Sequence, residues 1–384
     1  MSNETYICYA KRTPIGRLSG AYANTPAWEL GASLIADART SLNLAADQLD
    51  EVILGQVLSA GCGQAPARQA VLKGGFANSL GASSVSKVCG SGLKAVMQAA
   101  SAIEGKQAKA ILAGGQENMS LAPHLLPKSR QGYRYGSFEV LDHMALDGLT
   151  DAYEHKPMGI FAENCAKKYA FSRKDQDEFA VESYRRASKA WESGHFAKEV
   201  VLGGVLSVDE ELSRFDPTKV SSLRPAFDKA GTITAVSSSS ISDGAALLLL
   251  SNKEQAKAMG WPIKARIIAQ ASFAGPPEWF TTAPIGCIQS LLAKSSLKVS
   301  DIDLFEINEA FAAVAMAAMH ELGLDHAKVN PYGGACAIGH PIGASGARVL
   351  VSLLNGLVAA DKRLGLAVLC IGGGEAVGVI IERL

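Results

Sequence analysis

Residues 91–115 read SGLKAVMQAASAIEGKQAKAILAGG, and residues 345–374 read SGARVLVSLLNGLVAADKRLGLAVLCIGGG. Each stretch opens with Ser-Gly, an apolar residue and a basic one. Each continues as a helix of small and apolar residues, passes into an apolar strand and ends in a glycine cluster. The step from Ser91 to Gly114 is 23 positions and that from Ser345 to Gly372 is 27. A helix and strand repeated so far apart in one chain read as two similar α/β halves. Small-residue helices recur by chance, so the rest of the chain has to agree.

Working outward, strand-like and helix-like runs alternate: Thr5–Tyr9 (strand), Ala27–Leu42 (helix), Glu51–Gln56 (strand), Leu93–Glu104 (buried helix) and Ala108–Ala113 (strand). From about Asn118 to Val236 the texture turns polar, with SRQGYRYGSF at 129–138 and the helix-like SRKDQDEFAVESYRRASKAWESG at 172–194. This reads as an insertion within the first half. Apolar alternation returns at Ala245–Leu250. The expected division is 1–117 plus 237–260 for the first half, 118–236 for the insertion and 261–384 for the second half.

A chain of 384 residues is too long for one ordinary core. Hydrophobic residues at 48% against 19% charged imply a large buried interior and apolar surface left for subunit contacts. Thirty-seven basic residues balance thirty-seven acidic ones, so no global field favours nucleic acid or an anionic membrane. No apolar run is read as long enough to cross a bilayer. The opening MSNETYICYAKRTP offers neither a signal-peptide core nor a transit segment, and cytoplasm is the expected location. Seven cysteines, an odd number with no C-x-x-C pair, argue against a disulfide framework and against a zinc site.

Four places carry candidate chemistry. Val88-Cys89-Gly90-Ser91-Gly92-Leu93 sets a thiol where a helix should begin, near unpaired N–H groups that favour the thiolate. A buried structural cysteine at a tight turn fits the same six residues equally well. In Gly333–Pro341, GGACAIGHP, His340 is held between Gly339 and Pro341, and such an imidazole could take a proton from Cys89. Cys370-Ile371-Gly372-Gly373-Gly374 ends the apolar run Leu364–Leu369, placing a thiol and free N–H groups at the carboxyl edge of a sheet. Taken alone, a plain strand-to-turn junction reads this block as well. Asn308, in Glu306-Ile307-Asn308-Glu309-Ala310-Phe311-Ala312, reads alone as an ordinary residue near a helix cap.

Together these blocks resemble the signatures of the thiolase family: CGSGLKA, NEAFA, GGA-x-A-x-GHP-x-G-x-SGAR and a terminal C-x-GGG. Family-like stretches fill the gaps: RTPIGR at 12–17, GGQENMS at 114–120, MGIFAEN at 158–164, LRPAF at 223–227 and SDGAALLLL at 242–250. The resemblance covers nearly the whole chain in the family's order. It implies an α/β thiolase fold, two βαβαβαββ halves in five αβαβα layers, with an inserted loop domain that holds CoA.

By the same resemblance Cys89 becomes acylated, His340 activates it, and Cys370 is the second acid/base that moves the α-proton. Asn308, through a water, and His340 would stabilise the enolate. The N–H groups of Cys89 and Gly372 would hold the thioester oxyanion, with ping-pong kinetics. Ser239 falls on a pantetheine-contacting position; Met158, Ala310, Phe311 and Leu149 fall on pocket-lining ones. Lys219 and Arg214 are candidates for the CoA phosphates. Ser86, Val236–Ser240, Pro157 and Glu375-Ala376 depart from the commoner family residues.

Glu278–Pro284, EWFTTAP, resembles acetoacetyl-CoA thiolases, and Met158 resembles the pocket residue of short-chain members. The implied reaction is therefore reversible conversion of two acetyl-CoA into acetoacetyl-CoA plus CoA. The alternative is a 3-ketoacyl-CoA thiolase of β-oxidation acting on longer chains. A decarboxylating ketoacyl synthase would pair its cysteine with two His, or His and Asn, and lack the second cysteine. A non-catalytic relative would have lost one of the four residues. No cofactor or metal is implied, since the CoA thioesters are substrates. A homo-oligomer is expected, a tetramer before a dimer, with Gln131–Phe138 as a tetramer-forming loop.

Overall fold

The computed structural model describes residues 4–202 and 204–384. Its first half runs β1 (Tyr6–Arg12), α1 (Ala27–Ser41), β2 (Glu51–Gly55), α2 (Pro66–Lys73), β3 (Gly81–Val85), α3 (Ser91–Glu104) and β4 (Ala110–Asn118). It resumes after the insertion, whose main helices are α4 (Met158–Lys168) and α5 (Arg173–Glu192), with β5 (Ser242–Ser251). The second half runs β6 (Ala265–Ala274), α6 (Ala283–Ser295), β7 (Leu304–Ile307), α7 (Ala312–Leu322), α8 (Ile342–Ala359), β8 (Leu364–Ile371) and β9 (Glu375–Arg383).

Strand order makes the duplication explicit. The first half is ordered β3-β2-β4-β5-β1 and the second β7-β8-β9-β6, with Val329 bridging Phe305 of β7 where β3 stands in the first. β2, β3 and β4 run parallel, as do β7 and β8; the last strand of each half returns antiparallel. The two halves are joined edge to edge where Tyr6 and Ile7 pair with Arg266 and Ala265; with the short strand Gly16–Arg17 paired to β5 they make one ten-stranded sheet.

Period-two side-chain alternation sorts the strands' apolar runs onto two faces. Val52, Leu54, Leu247 and Leu249 face outward onto Leu34 and Ile35 of α1 and Val71 of α2. Ile53, Leu248 and Leu250 face inward, joining Val96 of α3, Leu350 of α8 and Leu369, Val377 and Ile381 of the second half. Leu366, Val368 and Ile380 face the other outer side, against Ile288 of α6 and Ala315 of α7. The layers are helix, sheet, helix, sheet, helix, with α3 and α8 in the middle.

That central position explains one departure from the sequence reading. α8 is by length and composition apolar enough to cross a membrane, contrary to the expectation that no run would be. Its window is 83% buried inside the fold, as a helix packed on both sides must be. Close approach of α3 and α8 depends on glycine. A Cβ on Gly92 would lie 2.9 Å from the Ala347 nitrogen, and one on Gly346 2.4 Å from the Leu93 nitrogen. The first turns of the two helices, one after Cys89 and the other after His340, therefore meet.

The insertion is stitched back to β1 by Arg12. Its backbone exchanges hydrogen bonds with Glu199 and Val201, both 2.9 Å, and its buried guanidinium pairs with Glu199 (2.6 Å) and Asp209 (2.7 Å).

Candidate active site

Cys89 stands on a strained turn. The preceding Val88 has φ +45°, a left-handed conformation that a β-branched residue adopts at a cost of roughly 1–3 kcal/mol. Ser91 holds this turn: its Oγ donates to the Val88 carbonyl (2.7 Å) and accepts from the Lys87 N–H (2.8 Å). β8 closes over the turn, since a Cβ on Gly90 would lie 2.4 Å from Cδ1 of Ile371. The N–H groups of Gly372 and of Cys89 itself are hydrogen-bonded to the sulfur.

The sequence reading of a favoured thiolate is overturned here. Dense surroundings push the Cys89 thiol up to about 11; the two N–H groups lower it but do not offset the lost hydration. At neutral pH the resting residue is a thiol and needs a base.

His340 is buried on its Gly339–Pro341 turn. Its N–H bonds the Ser240 carbonyl (3.1 Å) and Ser242 Oγ (3.2 Å), and Gly339, at φ +101°, leaves room for Ser242. Nδ1 lies 2.5 Å from Ser345 Oγ, which itself donates to the Pro341 carbonyl at 2.9 Å. The hydroxyl proton being used, Ser345 accepts, which assigns the ring proton to Nδ1 and leaves Nε2 as a free lone pair. Among the described residues nothing bonds Nε2. Burial, then the charge of Arg348, push this imidazole down to about 3, so it is neutral at physiological pH.

Cys370 is fully buried near the end of β8. It lies in an apolar cluster with Phe161, Ile233, Phe280, Ala310 and Phe311, edged by Met158. Burial, then the proximity of Cys89, hold its thiol well above the ordinary range. Asn308 is not near a helix cap as the sequence suggested: α7 starts at Ala312 with Phe311 at its cap, and Asn308 directly follows β7. Its N–H bonds the Val368 carbonyl (3.0 Å), two residues before Cys370. Its Oδ1 accepts from Arg348 (3.1 Å), while Nδ2 has no partner among the described residues.

The pocket residues gather around this core. Met158 begins α4, with its Cε 3.5 Å from where a Cβ on Gly372 would stand. Leu149 falls in the apolar cluster of Leu58, Met119 and Ile342 that Cys89 also touches. The Ser239 hydroxyl is bonded to the Ala310 carbonyl (3.0 Å). Arg214 and Lys219 are exposed, and Lys219 pairs with Asp216 at 3.0 Å. Of the departures from the family pattern, Glu375 forms an ion pair with Lys87, and Ser240 helps to steady His340, as does Ser242 of the family-like stretch after it. Among the described residues no group of three His, Cys, Asp or Glu is placed to hold a metal ion.

Sequence reading missed the buried carboxyls that hold these pieces in register. Glu117 accepts from the N–H groups of Val57 (3.0 Å), Leu58 (3.2 Å) and Gly343 (2.8 Å), tying β2, β4 and α8 together. Glu309 accepts from Asn330 (2.7 Å), Ser183 (2.7 Å) and the Cys336 N–H (3.1 Å). Both lie inside the quoted motif blocks, which was the available signal.

The thiolase N-terminal domain model matches residues 5–254 and the thiolase C-terminal domain model residues 261–383. The chain belongs to the thiolase family. It is 49% identical to an acetyl-CoA acetyltransferase of Escherichia coli (strain K12), over 98% of both chains. It is 46% identical to an acetyl-CoA acetyltransferase of Thiocystis violacea over the full length of each. Among solved structures, the Acat5 thiolase of Ascaris suum in complex with coenzyme A superposes with a TM-score of 0.95 at 40% identity, covering 99% of this chain and 100% of that one.

Proposed function

We propose that this protein interconverts two acetyl-CoA with acetoacetyl-CoA and CoA through an acyl-enzyme on Cys89. The observation that carries the reading is the pairing of a half-buried thiol, Cys89, with a fully buried one, Cys370, that feels its charge, beside a histidine and an asparagine whose Nε2 and Nδ2 are left without partners among the described residues. In the first half-reaction His340 Nε2 takes the Cys89 proton and the sulfur attacks the acetyl carbonyl. The N–H groups of Cys89 and Gly372 hold the oxyanion, a role worth about 2.7–4 kcal/mol per donor. Cys370 gives its proton to the departing CoA sulfur. That leaves Cys89 acetylated, Cys370 as thiolate and His340 protonated.

In the second half-reaction the Cys370 thiolate removes the α-proton of a second acetyl-CoA. The C–H electron pair moves onto the thioester oxygen, where His340 Nε2–H and a water held by Asn308 meet the developing charge. The enolate carbon attacks the acetyl group, the C–S bond breaks, and the Cys89 sulfur recovers its proton from His340. Every proton is returned.

Coenzyme A in the Ascaris suum structure supports CoA thioesters as substrates, and we assign Ser239 and the inserted segment 118–236 to hold the pantetheine and nucleotide. Met158, Phe280 and Phe311 crowd Cys370 and favour a short acyl chain, as do the names of the relatives. We assign the 131–138 loop to assembly of a homotetramer, because Tyr135 is fully exposed and Phe138 half exposed. The deciding experiment gives the pure protein acetoacetyl-CoA plus CoA, then a long-chain 3-oxoacyl-CoA plus CoA. Thiolysis of the first and little of the second is expected. A clear preference for the long chain overturns the specificity, and no thiolysis of either overturns the reading.

A further inference from the structure

In the chemistry described so far Arg348 enters only as the charge that helps to keep His340 neutral. It lies on α8, 1% exposed, with its Nη2 3.1 Å from Asn308 Oδ1 and its Nη1 3.5 Å from Glu306 Oε2; its Nε has no partner among the described residues. Glu306 lies in β7 and Asn308 directly follows it, and both turn toward α8, where Arg348 reaches each of them. The closer contact is to the neutral amide, not to the carboxylate. Glu306 is itself pushed up to about 8 by burial, which leaves it largely uncharged at neutral pH. A buried arginine so weakly paired is poor value as a stabilising device, because desolvating it is expensive.

A guanidinium has donors only. It can face the oxygen of the Asn308 amide but not its NH2, so the alternative orientation of the amide would set donor against donor. Nδ2 is thereby kept on the far side as a donor, and charge drawn toward the cation through Oδ1 sharpens that donor. We infer that Arg348 is a positioning residue for enolate formation, fixing which end of the Asn308 amide holds the water that meets the enolate oxygen. This rests on the reading of Asn308 given under the proposed function.

The two half-reactions separate the claim from general damage. Acetyl transfer from acetyl-CoA to Cys89, followed by protein mass, does not need the enolate. Exchange of the acetyl protons of acetyl-CoA in deuterated water does. Arg348→Gln is expected to slow exchange by about 100-fold while acetyl transfer slows by less than about threefold, because losing the charge makes His340 more basic rather than less. In an Asn308→Ala background the same substitution is expected to slow exchange by no more than about threefold further, since its effect passes through the amide.

Arg348→Lys keeps a cation that can only donate, and is expected to recover at least about tenfold of the loss; it also serves if the Gln variant does not fold. Loss of both half-reactions together, unimpaired exchange, or full additivity with Asn308→Ala overturns the inference. A parent protein that acetylates Cys89 yet exchanges no protons overturns the proposed function on which it stands.

Discussion

The Nδ1 of His340 lies 2.5 Å from the Oγ of Ser345, and that hydroxyl spends its own proton on the Pro341 carbonyl. The serine thus acts as an acceptor that sets the imidazole tautomer and leaves Nε2 basic. Removing it strands a buried N–H and lets the ring turn or change tautomer. A positioned base contributes about 10²–10⁴-fold, so Ser345→Ala is expected to cut kcat at least about tenfold. The fold should survive, because one small hydroxyl is lost. Steady-state thiolysis with a melting curve tests this; kcat within twofold of the parent means Ser345 does not orient the ring.

The high pKa of Cys89 has a kinetic signature. With its thiol pushed up to about 11, the resting enzyme should react with iodoacetamide only through a small thiolate fraction. The alkylation rate is expected to climb about tenfold per pH unit from pH 6 to 9 without a plateau. A plateau near neutrality would mean instead that a thiolate–imidazolium pair exists at rest.

The places that carry the chemistry were legible because each is a junction marked by local residues. Cys89, His340 and Cys370 each stand beside glycines that the turns require, and the repeated Ser-Gly helix exposed the duplication before any strand order was known. What could not be read depends on neighbours distant in sequence. The helix-start argument for a Cys89 thiolate is local, and it loses to burial by β8, which arrives some 280 residues later. Asn308 looked like a cap because the run after it is helical; its real partners are Val368 and Arg348. Arg348 sat within a quoted motif without a role, since a basic residue on a helix ordinarily faces solvent. Only a helix buried between two sheets turns it inward.

Arg12 is another buried cation, and here the prediction concerns stability. Its guanidinium makes two bonds to Asp209 and one to Glu199, both fully buried, and Asp209 also accepts from the Ile15 N–H (2.8 Å) and Trp191 Nε1 (2.9 Å). Arg12→Leu leaves two carboxylates without a counter-charge and is expected to destabilise by about 3–5 kcal/mol. The insertion should loosen first, since this cluster stitches it to β1. Hydrogen exchange should show 196–215 losing protection before α3 and α8 do; uniform loss would contradict that order.

His195 is buried against Tyr332, their rings 3.7 Å apart, and burial pushes it down from 6.5 to about 4. Between those values the unfolded chain binds a proton that the native one refuses, so stability is complete above about pH 6.5 and lost as pH falls toward 4. The slope is at most about 1.4 kcal/mol per pH unit. Glu117, pushed up to about 7, acts oppositely: its native form holds a proton that the unfolded chain releases, so its contribution fades as pH rises from 4.5. A bare pH profile of the parent therefore mixes opposing terms. Comparing the parent with His195→Gln removes the carboxyl contribution common to both. The parent's stability relative to the variant is expected to fall below pH 6.5 and stay level above it; a difference that does not change with pH would show that His195 titrates alike in both states.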